Sequence, residues 1–242
     1  MTEGLEFDSN FDFRIDAGGR DPDRYSPSLK KAHLVLWTKP LPDGRLFELA
    51  DTVQGEYLML RVGRTRLPLS SDSIIPTYEY WKTPPPYFAD IPQDDIDEFA
   101  RISYTFGGMI LFPSEQVDGK PTINQARGTS TVTIGDRFDL TLEAIRRHYV
   151  GESSPLSDVL ERYSSFFELF TDFRGYVDFF LLQDVVDSGY ATIRFFTPFA
   201  NFTDRAVPST LDDFIGYRTK SVEFINARNR RVAASLKYPQ GS

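Results

Sequence analysis

The spacing of hydrophobic residues changes about halfway along this chain. In the first half, short apolar runs alternate with turn signals: 57–62 and 66–69 flank a Gly-Arg turn, and 108–112 is an unbroken apolar run. In the second half, apolar residues recur at helical intervals, as at Phe138, Leu142, Ile145 and Tyr149. This change of period predicts an α+β fold, with strands in the first half packed against helices in the second.

The strands are expected to form a mixed or antiparallel sheet. A further strand is predicted near Thr122-Ile123, and a late strand at about 191–196 is predicted to rejoin the sheet. Cap signals and periodicity predict helices over about 27–38, 94–103, 136–149, 155–170, 176–186 and 209–234. For 176–186, which is apolar almost all round, a buried strand is the alternative.

No repeat, low-complexity linker or composition break divides the chain. We therefore expect one domain over residues 1–242. Residues 1–25 lack sustained hydrophobic periodicity, so we expect them to form an extended N-terminal arm. At the other end, we expect a flexible tail over about 235–242.

The chain has no cysteine and two histidines, His33 and His148. Disulfides, thiolate nucleophiles and cysteine-ligated metals are therefore excluded, as is a multi-histidine metal site within one chain. The first residues lack the pattern of a secretory signal, and no apolar stretch is long enough to span a bilayer. These features predict a cytoplasmic protein without a membrane anchor.

Charge is distributed unevenly around the net value of −8. Residues 1–100 carry 18 acidic and 11 basic side chains, whereas 214–242 carry six basic side chains and one acidic. A basic stretch of this kind, with Arg228, Arg230 and Arg231, can contact nucleic acid, dock on an acidic surface or complement a helix dipole. A sequence pI near 4.9 makes nucleic acid an unlikely partner.

The candidate site combines carboxamides, arginines and a row of carboxylates. Polar residues interrupt an apolar segment at 122–128, and a predicted helix with acidic and basic residues follows. The predicted ligand-binding residues are Asn124, Gln125, Arg127, Asp136, Arg137, Asp139 and Arg146. Asp136, Asp139 and Glu143 have the spacing of one helix face. Carboxylates next to arginines suit a phosphate with a divalent ion, so Mg²⁺ is the candidate cofactor, although no metal ligands are assigned.

Two simpler interpretations stay open for these residues. Glu143 with Arg146 or Arg147 has the spacing of an ordinary helical ion pair. His148 suits a general base, but a histidine near a helix end also complements the dipole. No phosphate-binding loop, nucleophile elbow or dinucleotide fingerprint is present, so whether the protein is an enzyme stays open.

Six blocks spread over most of the chain together carry a family resemblance. They are 69–76 (LSSDSIIP), 104–110 (YTFGGMI), 123–128 (INQARG), 136–143 (DRFDLTLE), 176–184 (YVDFFLLQD) and 228–231 (RNRR). The chain resembles an uncharacterised bacterial and phage family, a domain of unknown function. The resemblance implies a whole single-domain family of bacterial or phage cytoplasmic origin, and it implies no activity.

Two functional hypotheses follow from the sequence. The first is a binding protein or enzyme with a pocket for a small anionic ligand of the phosphate or nucleotide type. The second is an interaction module without catalytic activity, in which aromatic-rich helices between Leu156 and Val186 bind a protein partner or a second copy of the chain.

Overall fold

The structure, a computed structural model, describes residues 7–52, 57–75, 85–130 and 133–237. Its strands form one antiparallel sheet in which each strand pairs with the next in sequence. They are β1 Lys39–Pro40, β2 Leu46–Asp51, β3 Leu58–Val62, β4 Thr65–Ser73 and β5 Met109–Pro113. Strands in the first half and helices in the second confirm the predicted α+β fold.

The hairpin predicted at 57–69 is formed by β3 and β4. Gly63 in its turn has a φ of 58°, a left-handed conformation that glycine adopts without a Cβ clash. β4 is longer than predicted and ends at Ser73, because its second half pairs with β5. Asp72 therefore lies within this strand.

Nine α-helices are present in the described ranges, and several of their ends follow local capping chemistry. They are α1 Pro22–Tyr25, α2 Pro27–Trp37, α3 Gln93–Ser103, α4 Ile123–Thr129, α5 Phe138–Tyr149, α6 Ser157–Arg162, α7 Ser164–Phe167, α8 Phe173–Phe179 and α9 Leu211–Lys237. α2 begins where predicted, because Ser26 Oγ accepts a hydrogen bond from the Leu29 amide at 3.1 Å. The helix predicted over 155–170 is divided into the shorter helices α6 and α7. The helix predicted over 176–186 corresponds to the end of α8, and Leu181, with a φ of 55°, prevents its continuation.

The strand predicted near Thr122-Ile123 is wrong, because a helix starts there. Thr122 Oγ1 accepts a hydrogen bond from the Gln125 amide, and Gln125 Oε1 accepts one from the Thr122 amide. This reciprocal capping box starts α4.

The late strand predicted at 191–196 is also wrong. Only an isolated bridge forms, between Val186 and Ile193. Side-chain carboxylates take the place of a partner strand: Asp187 accepts from the Ala191 and Thr192 amides, and Asp139 accepts from the Phe196 amide. With these amides already satisfied, the segment forms turns instead of a ladder.

The N-terminal segment packs on the rest of the molecule. Residues 7–25, predicted as an extended arm, form turns and the short helix α1, and Phe13 is buried in the core. The predicted tail is helical as far as Lys237, and 238–242 lie outside the described residues. Within those residues, no helix has the length and apolar character needed to cross a membrane.

A single cluster of buried hydrophobic side chains joins sheet and helices. α9 lies close against Gly107, whose amide donates to Asn229 Oδ1 at 2.5 Å. A Cβ at Gly107 would overlap the carbonyl oxygen of Ile225. Glycine at this position therefore allows the helix to approach the start of β5.

Candidate functional site

Arg127 of α4 is fully buried and is the centre of the candidate site. Its Nε donates to Thr141 Oγ1 at 2.9 Å, and Nη2 donates to the Asp136 carbonyl oxygen at 3.0 Å. Nη1 donates to the Asp72 carboxylate, and Nη2 lies 3.5 Å from Asp136 Oδ1. The guanidinium thus joins β4, α4 and the turn before α5.

Three aspartates from distant parts of the chain lie near this guanidinium: two contact it, and the third, Asp23, interacts with it electrostatically. Asp72 lies on the half-buried face of β4, and Asp136 follows Gly135 in the turn before α5. Asp136 has a φ of 60°, a conformation uncommon for a residue with a side chain. Asp23 lies on α1, which packs against β4, and accepts a hydrogen bond from the backbone of Ser73. We call Arg127, Asp23, Asp72 and Asp136 the Arg127 cluster.

The three carboxyl groups of the Arg127 cluster have raised pKa values. Burial raises the pKa of Asp72 well above its usual value, and it also raises the pKa of Asp136; in both cases Arg127 opposes the effect. Burial, followed by the charge of Asp21, raises the pKa of Asp23 to about 7. A carboxyl group that titrates near neutral pH beside two others is a pattern found at functional sites.

Asn124 lies next to this cluster, whereas Gln125 has a structural role. Asn124 is one helical turn from Arg127, and its Nδ2 donates to Ser70 Oγ at 3.2 Å. Its Oδ1 is buried and accepts no hydrogen bond from the described residues. Gln125 Oε1 is occupied by the capping box.

Arg137 and Asp139 form a separate, buried pair. The Arg137 guanidinium donates two hydrogen bonds to Asp139, and its Nη1 donates to Thr197 Oγ1 at 2.6 Å and to the Ala206 carbonyl oxygen at 2.7 Å. Asp139 also accepts from the Phe196 amide at 2.8 Å. These contacts attach the irregular segment before α9 to α5, so their evident role is structural.

The predicted row of carboxylates does not form one group. Asp136 faces Arg127 and Asp139 faces Arg137, while Glu143 binds Arg146 and Arg147. Asp136 precedes the helix, so helical spacing does not apply to it. Across the described ranges, no set of three or more histidine and acidic side chains is arranged to hold a metal ion.

Arg146 matches the simpler interpretation of a helical ion pair. Its Nε donates to Glu143 Oε2 at 2.8 Å, and its Nη2 lies 3.4 Å from Glu152 Oε2. His148 lies at the surface end of α5, with Nδ1 4.0 Å from Glu161 Oε2 and its ring 5.4 Å from that of Phe167. Neither residue contacts the Arg127 cluster in these interactions.

The basic segment of α9 does not present its arginines together. Arg228 is fully buried and donates to the carbonyl oxygens of Phe180, Gly107 and Met109. Burial lowers its pKa to about 9. Arg231 is paired with Asp184 at 2.8 Å, which leaves Arg230 as the exposed member of the three. Arg228 is therefore unavailable to a nucleic acid.

A buried serine–histidine pair also resembles catalytic machinery but lacks the required proton arrangement. His33 Nε2 lies 3.0 Å from Ser71 Oγ, and Trp37 Nε1 donates to His33 Nδ1 at 3.0 Å. Burial lowers the pKa of His33 to about 3, so the ring is neutral and its proton is on Nε2. Nε2 donates to Ser71 and cannot accept its proton.

Comparisons with known proteins give a family but no activity. The sequence model of one protein family matches residues 7–232 of the chain. No curated protein and no solved structure matches it significantly.

Proposed function

The chain belongs to that family, a family of unknown function (DUF6994), and from its site we propose that it binds a small polar ligand at the Arg127 cluster. Membership confirms the resemblance to an uncharacterised family over most of the chain. A bacterial or phage origin and a cytoplasmic location stay predictions.

The contacts of Asp72 and Asp136 with one buried arginine, together with the electrostatic interaction of Asp23 with both carboxylates, carry the proposal. Three carboxylates around a single guanidinium have a combined charge of −2 when all are ionised. Burying unbalanced charge opposes folding, and such arrangements are concentrated where a ligand or reaction uses them. Asp72 and Asp136 remain 22% and 35% exposed, so a ligand can reach them from solvent.

A phosphate or nucleotide, the ligand class expected from the sequence, stays a prediction with a defined requirement. Arg127 has no exposed surface, and its nitrogens already contact Asp72 and Asp136. An anion would have to displace a carboxylate, or bind after the carboxylates take up protons. Mg²⁺ faces a related obstacle, since the guanidinium lies between these two carboxylates.

The interaction-module alternative gains no support from the aromatic residues that suggested it. In the segment 156–186, all eight aromatic side chains are buried in the core of the chain itself; they are Tyr163, Phe166, Phe167, Phe170, Phe173, Tyr176, Phe179 and Phe180. The exposed large hydrophobic residues among those described are Ile15, Leu46, Val150 and Ile215. They lie on separate elements, and a protein partner or self-association stays a prediction.

A thermal-shift screen with a matched set of variants tests the proposed site. Ligands that bind only the folded state raise the melting temperature by mass action. The screen would use amines, sugars, nucleotides and phosphate on the wild type and on Asp136→Asn. Asp94→Asn, which removes one exposed carboxylate from α3, is the control.

We expect a ligand-induced shift that Asp136→Asn abolishes and Asp94→Asn leaves intact. Arg127→Ala is less suitable, because loss of the buried guanidinium leaves Asp72 and Asp136 without a cation and destabilises the fold itself. A ligand whose shift survives both Asp136→Asn and Asp72→Asn binds elsewhere and would refute the proposed site.

A further inference from the structure

We propose that the ligand of the Arg127 cluster is a small organic cation bearing an ammonium or guanidinium group. This inference rests on the proposed function, since it names the chemical class that the same site takes.

The hydrogen-bond donors of the cluster are directed inward. Arg127 uses Nε, Nη1 and Nη2 on Thr141, Asp72 and Asp136. Thr141 Oγ1 in turn donates to the Arg137 carbonyl oxygen at 2.8 Å. A ligand that needs donors from the protein therefore finds those of Arg127 and Thr141 already engaged.

The acceptors of the cluster, in contrast, have unused capacity. Asp136 and Asp72 are partly exposed, and each has a carboxylate with two oxygens against a single shared cation. Oδ1 of Asp23 and Oδ1 of Asn124 are buried and receive no hydrogen bond from the described part of the chain. Buried acceptors without donors are uncommon, so Asn124 Oδ1, together with Asp23 Oδ1 once Asp23 is ionised, indicates a partner that supplies N–H or O–H groups.

Charge selects a cation among such donors. When its three carboxyl groups are ionised, the cluster contributes one positive and three negative side chains, and Asp21 adds a further negative charge near Asp23 and Asp72. A neutral hydroxyl supplies donors but leaves this charge unbalanced, whereas an ammonium or guanidinium group supplies both donors and charge.

Because the carboxyl groups of the cluster take up protons, the affinity for a cation should depend on pH. Asp23 has a pKa raised to about 7, and it interacts with Asp21 at the N-cap of α1, Asp72 of β4, Arg127 of α4 and Asp136 of the turn before α5. A bound cation favours ionised carboxylates, so binding releases protons and strengthens as pH rises. With one proton released at a pKa of about 7, affinity rises about tenfold between pH 6 and pH 8.

Isothermal titration calorimetry with length-matched probes tests this inference. Putrescine and 1,4-butanediol share a four-carbon chain and differ in their ammonium and hydroxyl ends; agmatine adds a guanidinium, and inorganic phosphate is the anionic probe. Titrations at pH 6 and pH 8 and constant ionic strength, in two buffers of different ionisation enthalpy, give the number of protons released. Asp136→Asn and the control Asp94→Asn are titrated in parallel.

We expect putrescine or agmatine to bind with proton release, about tenfold more tightly at pH 8, and 1,4-butanediol not to bind. Asp136→Asn should weaken the binding at least tenfold, and Asp94→Asn should leave it unchanged. Phosphate binding with proton uptake, lost in Asp136→Asn, would overturn the cationic ligand but leave the proposed site standing. Amine binding that Asp136→Asn and Asp72→Asn leave unchanged would overturn both.

Discussion

Replacing Asp23 by asparagine should stabilise the protein above pH 7. Burial, with a further contribution from Asp21, raises the pKa of Asp23 from 3.8 to about 7. The folded state therefore keeps a proton that the unfolded state releases between these two values. The stabilising contribution of this protonation is present below pH 3.8 and is lost as pH rises to about 7.

The size of the effect follows from the shift in the pKa of Asp23. One pKa unit corresponds to about 1.36 kcal/mol, so the complete loss above pH 7 is about 4 kcal/mol and the loss at pH 5.5 is about 2 kcal/mol. Asparagine has nearly the same shape, can accept the bond from Ser73 and never ionises. The difference in free energy of unfolding between Asp23→Asn and the wild type should therefore grow, in favour of the variant, by about 2 kcal/mol between pH 5.5 and pH 8.

Urea denaturation monitored by tryptophan fluorescence, at several pH values over this range, measures the difference directly. Asp94→Asn removes an exposed carboxylate and should show no comparable trend. A pH-independent difference between Asp23→Asn and the wild type, or a loss of stability at pH 8, would refute the assignment of a proton to the folded Asp23.

Three further predictions concern the buried scaffold. Arg228→Met should cost at least about 3 kcal/mol by calorimetry, because three buried carbonyl oxygens lose their donor, and a cost below 1 kcal/mol would contradict these bonds. His33 should stay neutral in the folded protein from pH 8 to pH 5, because burial lowers its pKa to about 3. The unfolded chain takes up this proton near pH 6.5, so the free energy of unfolding should fall as the pH drops from 6.5 toward 3. A His33 ring that titrates near pH 6.5 in NMR spectra of the folded protein would disprove this. Gly107→Ala should cost about 3 kcal/mol in urea denaturation, because its methyl group overlaps the Ile225 carbonyl, whereas Gly128→Ala, where a Cβ meets no atom, should not destabilise.

Sequence patterns predicted the elements whose ends are determined locally. Ser26 before a proline marked the start of α2, and helical spacing identified α5 from Phe138. The error at Thr122 was avoidable, since threonine followed three residues later by Gln125 is the spacing of a capping box. The error at 191–196 was not, because the acceptor for the Phe196 amide is Asp139, 57 positions earlier.

The candidate site was predictable only in part, because some of its contacts also join positions that are far apart in the sequence. Arg127 and Asp136 are close in sequence, and the structure brings them together. Asp23 and Asp72 were missed because their positions depend on the packing of α1 against β4 and on the pairing of β4 with β5. A single sequence gives no local signal for either contact. Asp139 and Arg146 fit the sequence pattern but face other partners.

The hydrogen bond from Arg228 to the first residue of β5 has a consequence for synthesis of the protein. β5 is buried along its whole length, and the Met109 carbonyl oxygen accepts a hydrogen bond from a side chain 119 residues later in the chain. At roughly 5–20 residues per second, that arginine is made roughly 6–24 s after Met109. During this interval the Met109 carbonyl oxygen at the start of β5 lacks its partner, and an edge of this kind can pair with other chains, so early binding by a chaperone should raise the yield of folded protein.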